Sequence, residues 1–580
     1  MSKAPVSYPY EAKPQPETTE TPEAAAACSR REFLRSAVMA ATAAAVGTAA
    51  APGRAAAARP SGVTFDDSAH EAALAADDLD PTPRAVASFR FRRSMARLAY
   101  RRPHEPQADN GEESDYPFIA NFTKGLPHDD AGEVEPSAYG FLLAALSSGD
   151  PEAFDAVPLG GPGRLRNPLA GKAFDLEGPD SHHLAMPPAP RIDSPRGSAE
   201  AAELYWMSLL RDVPFTEYDN APLATLAAED LSRLSDFGGP KTNGNVVPHL
   251  LFRGDALGDR VGPYVSQFLL LPVPYGTLKI RQRQRTAQTG IDHMTDVTSW
   301  LAVQRGAAPD VPDALDGVRR FIRNGRDLAS YVHYDALYQA HLNACLILLG
   351  LGAPFDDGNP YARSTTMDGF GTFGGPHILS LVTEVATRAL KAVWYQKWYV
   401  HRRMRPEAYG GRLHHHLLGS RSYPLDAEIF ESAALDEVHR YTGSYLLPQA
   451  YPEGSPLHPS YGAGHATVAA ACVTVLKAWF DESWVLPRAV VAGADGKRLA
   501  RYRGAERDAL TVGGELEKLA ANIALGRNFA GIHWRSDMSA SLRLGEAVAL
   551  GILEEQVSGY AERAAFTVTL FDGSVVTISS

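Results

Sequence analysis

Beyond about residue 131, apolar side chains recur mostly at the three- and four-residue spacing of a helix with one buried face. That periodicity predicts helices over residues 139–146, 199–210, 223–234, 297–303, 327–351, 377–403, 427–441, 465–480, 516–525 and 534–560, separated by long Pro/Gly-rich connections. Alternation with a period of two is confined to residues 566–578, where Thr and Val flank Asp572-Gly573 as in a tight hairpin. The pattern therefore predicts an all-α core with a small C-terminal β-hairpin. Residues 59–130 are rich in Pro, Asp and Arg and read as an N-terminal arm with one short helical stretch at 85–100. The helical domain is expected over 131–580.

Composition changes this picture little. With 45% apolar and 21% charged residues, the 580-residue chain is ordinary globular material with ample core. Its formal charge of −12 excludes nucleic acid or an anionic membrane as the main partner, since either calls for a basic face. Cys28, Cys345 and Cys472 show no close pairing, so neither a disulfide framework nor a zinc site is supported by the cysteines. At the N-terminus, Ser29-Arg30-Arg31-Glu32-Phe33-Leu34-Arg35 precedes an alanine-rich run too short to span a membrane. Residues 1–58 are thus expected to be a twin-arginine signal region that exports a bacterial protein to the periplasm or the medium.

Chemistry concentrates in three segments of the last third. In Lys397-Trp398-Tyr399-Val400-His401-Arg402-Arg403-Met404-Arg405-Pro406, the proline disfavours helical geometry at Arg405. Lys397 is expected on the last turns of a helix and Arg405 just past its end, so that two cations can converge on one ligand; a solvated basic helix end would read the same way. In His458-Pro459-Ser460-Tyr461-Gly462-Ala463-Gly464-His465, two glycines before a helix let backbone N–H groups approach an anion, with His465 in the first turn; an ordinary glycine-marked turn is the alternative. In Gly526-Arg527-Asn528-Phe529-Ala530-Gly531-Ile532-His533-Trp534-Arg535-Ser536-Asp537, His533 can ligate a metal and Asp537, one turn on, can orient it; a satisfied core histidine is the commoner fate of one such residue.

The joint order Lys-(seven residues)-Arg-Pro, Gly-His, Arg-(five)-His-(three)-Asp resembles the anion site shared by vanadium haloperoxidases and the type 2 phosphatidic acid phosphatase superfamily. Residues 331–339 and 372–379 resemble stretches of the algal-type bromoperoxidases, and the likeness covers roughly residues 84–560. It implies two four-helix bundles in one domain, a vanadate cofactor, and a homo-oligomer that takes hydrogen peroxide, a halide and a small organic substrate. By the same resemblance Lys397, Arg405, Arg527 and the N–H of Gly464 neutralise the equatorial oxygens of vanadate. His533 would be the axial ligand to vanadium, and His465 would move protons as peroxide binds. Lys397 would also donate to a peroxide oxygen, and His458 would stand near the vanadate as in bromoperoxidases, favouring bromide over chloride.

One position departs from the family pattern. Ala463 stands where a serine usually donates to the oxyanion, a hydrogen bond to a charged group worth about 1.5–3 kcal/mol. Ser460 or a water is a possible substitute. Two other readings stay open at this level: an acid phosphatase with His533 as nucleophile, and an exported oxyanion-binding protein with little turnover.

Overall fold

The computed structural model describes residues 83–309 and 311–579. The expected signal region, 1–58, lies outside them. The named helices are α1 (Pro83–Arg101), α2 (Pro195–Leu209), α3 (Pro222–Arg233), α4 (Gly325–Tyr334), α5 (Gln339–Leu351), α6 (Gly375–Tyr395), α7 (Pro406–Leu417), α8 (Ala433–Thr442), α9 (Gly464–Trp479), α10 (Val512–Phe529) and α11 (Arg535–Val557). The C-terminal hairpin pairs β1 (Ala565–Thr569) with β2 (Val575–Ser579), Phe566 opposite Ile578. Short antiparallel pairs, 273–275 with 278–280 and 490–492 with 499–501, decorate the surface. Among the described residues, no helix is long and apolar enough to cross a membrane.

The fold is mostly helical, with two helical-bundle regions. In one, α2, α3 and α8 pack together. In the other, α9 runs through the centre and is flanked by α6, α10 and α11. Every residue of α9 except His465 is buried, and Ala466, Ala469, Ala470, Ala471 and Ala478 leave so little bulk that its neighbours come close. Glycine does the same from the other side: a Cβ on Gly545 of α11 would lie 2.0 Å from the Thr467 carbonyl oxygen.

Three expected helices are interrupted: 427–441 divides at an extended Ser432, and the breaks in the other two matter to the site. The stretch 327–351 divides into α4 and α5 because residues 335–338 leave helical geometry, starting with an extended Asp335. The stretch 377–403 ends in a wider π turn at Gln396–His401, after which Arg402 takes a left-handed backbone (φ 41°) and turns the chain away. Pro406 then starts α7, with Arg405 in the extended conformation that a following proline enforces.

The α9–α11 crossing yields a paired prediction for urea unfolding. Gly545→Ala should lose about 1–3 kcal/mol, because its new methyl meets backbone that cannot move aside. Gly140→Ala, on an exposed helix face with nothing within 4 Å of the added carbon, should gain about 0.4–1 kcal/mol. Equal effects at the two positions would contradict the packing described.

Candidate active site

The three chemistry-bearing segments meet at one buried carboxylate. Asp537, in the first turn of α11 and fully buried, accepts from His533 Nδ1 (2.7 Å) and the Trp534 amide (3.1 Å) at Oδ2, and from Arg403 Nη1 (3.0 Å) at Oδ1. The Ser460 hydroxyl also donates to Oδ2. One side chain thereby ties the 397–405, 458–465 and 533–537 segments together.

These bonds fix the state of His533. Arg405 Nη1 can only donate, and it lies 3.0 Å from His533 Nε2, so Nε2 carries the lone pair and Nδ1 carries the proton that Asp537 accepts. Burial, followed by the Arg405 and Lys397 charges, holds the His533 pKa well below its ordinary value. The ring is therefore neutral, with an aimed lone pair, which is the form that ligates a metal. His458 obeys the same logic. Its Nδ1 accepts from Arg405 Nη2 at 2.9 Å, its carbonyl accepts from Arg405 Nε at 3.0 Å, and burial with the Lys397 and Arg405 charges keeps it neutral.

Lys397 is wholly buried in the π turn, where Nζ donates to the Pro459 and Ser460 carbonyls at 2.8 and 2.9 Å. Burial and then Arg405 lower its pKa. Arg405 also donates to the Ile532 carbonyl, at 3.1 Å. Arg527, in the last turn of α10, donates from Nη1 to the Val332 carbonyl at 3.1 Å and lies over the Tyr451 ring, 5.4 Å from its centroid. Its buried Nε has no partner among the described residues.

The charge balance identifies what the site can hold. Lys124, Arg211, Arg326, Arg403, Lys518 and Arg535 are buried cations, and each sits on a carboxylate. Lys397, Arg405 and Arg527 are also buried, yet like Arg253 and Arg412 their protein acceptors among the described residues are not carboxylates; what sets the three apart is that their charges converge on one histidine, His533. Buried charge without a counter-charge is strongly unfavourable. The N-terminus of α9 adds to the deficit, since Ala463 provides no side-chain cap and the first-turn N–H groups of Gly464 and its neighbours have no intrahelical acceptor. An orphaned guanidinium N–H, an uncapped helix start, three cations and an imidazole lone pair match the donor set of a metal oxyanion such as vanadate.

Each sequence-predicted residue has a definite place. Lys397, Arg405, His458, Arg527 and His533 cluster, as their mutual electrostatic influence records. His465 stands at the rim, with a side chain 27% exposed and Nε2 3.1 Å from Asp335 Oδ1. The Ser460 hydroxyl, held by Asp537, is not free to replace the missing serine at 463. The Ala463 amide, in turn, donates to Ser541 Oγ at 2.7 Å. Sequence reasoning missed Asp335, Tyr451, Arg403 and Trp394, whose ring lies 4.8 Å from His458. Asp335 and Arg403 had usable signals, as charged residues within the quoted stretches 331–339 and 397–406; the other two are set by tertiary contact alone.

Fold and site together define a helical-bundle enzyme built around a buried oxyanion cradle. Comparison with known proteins names the family. Residues 377–558 match the family described as VCPO second helical-bundle domain. The chain is 41% identical over 601 residues to a vanadium-dependent bromoperoxidase of Corallina pilulifera and 40% identical over 601 residues to one of Corallina officinalis, in both cases covering 87% of this chain and all of the relative. It is 37% identical over 500 residues to a vanadium-dependent bromoperoxidase of Ascophyllum nodosum, covering 81% of this chain and 88% of that protein. The solved structure of the second vanadate-dependent bromoperoxidase of Ascophyllum nodosum superposes with a TM-score of 0.83 at 30% identity, covering 93% of this chain and 95% of that one. The chain belongs to the vanadium-dependent bromoperoxidase family of haloperoxidases.

The expectation of a bacterial protein exported to the periplasm or the medium is corrected by the same findings, because these relatives come from the algae Corallina and Ascophyllum. Paired arginines before an alanine-rich run are a short pattern of low information, easily outweighed by similarity along 87% of the chain.

The role of Asp537 is directly testable. Asp537→Asn removes the charge that fixes the His533 tautomer and anchors Arg403 and Ser460, and should weaken vanadate binding by roughly 10–100-fold in equilibrium dialysis. Unchanged binding would show that Asp537 does not set the ligand.

Proposed function

We propose that the site residues divide the work of a bromide-preferring haloperoxidase among themselves as follows. The chain is a vanadate-dependent haloperoxidase that uses hydrogen peroxide and a halide. Vanadate, when bound, supplies a Lewis acid that stays in its highest oxidation state and polarises peroxide toward halide attack. Everything else falls to the protein. Lys397, Arg405, Arg527 and the Gly464 N–H hold the oxyanion, and the His533 Nε2 lone pair is the protein's ligand to the metal. Lys397 would also donate a hydrogen bond to peroxide held in the cradle.

His465 moves the proton: it is the most exposed of the three site histidines, and its Nε2 lies 3.1 Å from Asp335 Oδ1. His458 is a positioning residue: its ring nitrogen and carbonyl hold two edges of the Arg405 guanidinium, which keeps the fork aimed at the oxyanion. The observation that carries this reading is the burial of Lys397, Arg405 and Arg527 on acceptors other than carboxylates around a neutral, lone-pair-bearing His533.

The site residues all fall within 131–580, which we take as the catalytic domain, with 59–130 as an accessory arm. The Ascophyllum nodosum structure is described as homohexameric, which supports a homo-oligomeric assembly here as well. Small organic molecules that reach the rim at His465 are the proposed acceptors of oxidised halide.

Vanadate-reconstituted protein should brominate a dye with peroxide, with a higher kcat/KM for bromide than for chloride, and His533→Ala should abolish this. Hydrolysis of an aryl phosphate without halogenation would contradict the assignment. Because the Ser460 hydroxyl is engaged by Asp537, Ala463→Ser should tighten vanadate binding about tenfold, the equivalent of one charge-assisted hydrogen bond. No change in affinity would mean that the cradle is already saturated with donors.

A further inference from the structure

We propose that His104, His182 and His183 form a separate site for a divalent transition metal of the Zn2+ class, which fastens the segment leaving α1 to the helical body. Each offers one ring nitrogen, and these nitrogens lie within 4.8 Å of one another. The ring centroids are 4.2 Å apart for His182 and His183, 4.7 Å for His104 and His182, and 4.9 Å for His104 and His183. None of the three belongs to the oxyanion cradle. Three imidazoles without sulfur suit Zn2+, Ni2+ or Cu2+, and a water completes four-coordination on the exposed side.

The surroundings are those of a prepared site. Asp180 Oδ1 accepts from His182 Nδ1 at 2.5 Å, which leaves the Nε2 lone pair of His182 free and correctly tautomerised. Asp180 also caps the short turn Ser181–His183, so the carboxylate, His182 and His183 are set by one local structure. His183 Nδ1 accepts the Asp180 amide at 3.2 Å as part of the same capped turn. His183 is buried while His104 is exposed, so the cluster spans from body to surface.

The site also joins parts that are otherwise loosely held. No residue of α1 is buried. Beyond it, the Glu105 amide donates to the His183 carbonyl at 3.3 Å, and Gln107 Nε2 donates to the Leu184 carbonyl at 2.9 Å. Gln396, at the start of the π turn, donates to the same Leu184 carbonyl and to Gln107 Oε1, at 2.9 and 3.0 Å. A metal bridging His104 to His182 and His183 would close this seam between the arm and the end of α6.

The test titrates ZnCl2 into vanadate-loaded, otherwise metal-stripped protein by calorimetry, comparing wild type with His104→Ala, His104→Ala/His182→Ala and Asp180→Asn. Wild type should take up one Zn2+ per chain more than the double variant. His104→Ala, an exposed substitution that leaves folding intact, and Asp180→Asn should each weaken that site at least tenfold, with bromination unchanged. Zn2+ should also slow tryptic cleavage at Arg101 in wild type and not in the double variant. Equal zinc uptake by wild type and the double variant, or none by wild type, would overturn the proposal.

Discussion

Asp537 accepts hydrogen bonds from three parts of the chain that are far apart in sequence: Arg403 beyond the π turn, Ser460 ahead of α9, and His533 with Trp534 at the start of α11. A fully buried carboxylate is tolerable only with such a set of donors. The same bonds dictate that His533 holds its proton at Nδ1 and turns its Nε2 lone pair toward Arg405. The geometry of the ligand and the joining of the three segments are thus one constraint.

That constraint gathers positive charge the fold does not neutralise. Lys397 and Arg405 are almost completely buried and lean on carbonyl oxygens, which orient cations without cancelling them. The helix start at Gly464 contributes a further positive end with no side-chain cap. An enzyme that keeps such an arrangement is preorganised for an anion, and in the haloperoxidase family that anion is vanadate. Burial, followed by this same excess of positive charge, lowers the pKa values of His458 and His533, and both rings remain neutral where a ligand and an arginine support need them neutral. His465 stands apart from them at the rim, beside Asp335.

Much of this was legible in the sequence, and the exceptions have physical causes. Amphipathic spacing located the cores of α2, α3, α9, α10 and α11, and Asp572-Gly573 located the C-terminal hairpin. The four-residue step from His533 to Asp537 on a helix start gave the orienting pair directly. The break at Asp335 and the π turn at Lys397 escaped because apolar periodicity runs through both, and tertiary contacts decide them. The helix α7 begins at Pro406, whose effect on Arg405 is legible in sequence while the weakly periodic run after it is not. The small hairpin at 490–501 carried an unused signal in Asp495-Gly496. Ser460 shows the limit most plainly, since no spacing rule could reveal that its hydroxyl belongs to Asp537 rather than to the oxyanion.

The central claim, that the buried cations are held in readiness for one oxyanion, is tested most directly by unfolding vanadate-free protein at increasing vanadate. Stability should rise by about 2.7 kcal/mol at a hundredfold excess over Kd, with one vanadate per chain. Lys397→Met/Arg405→Met should lose most of that gain. A stability indifferent to vanadate, or a gain undiminished in the double variant, would contradict the account.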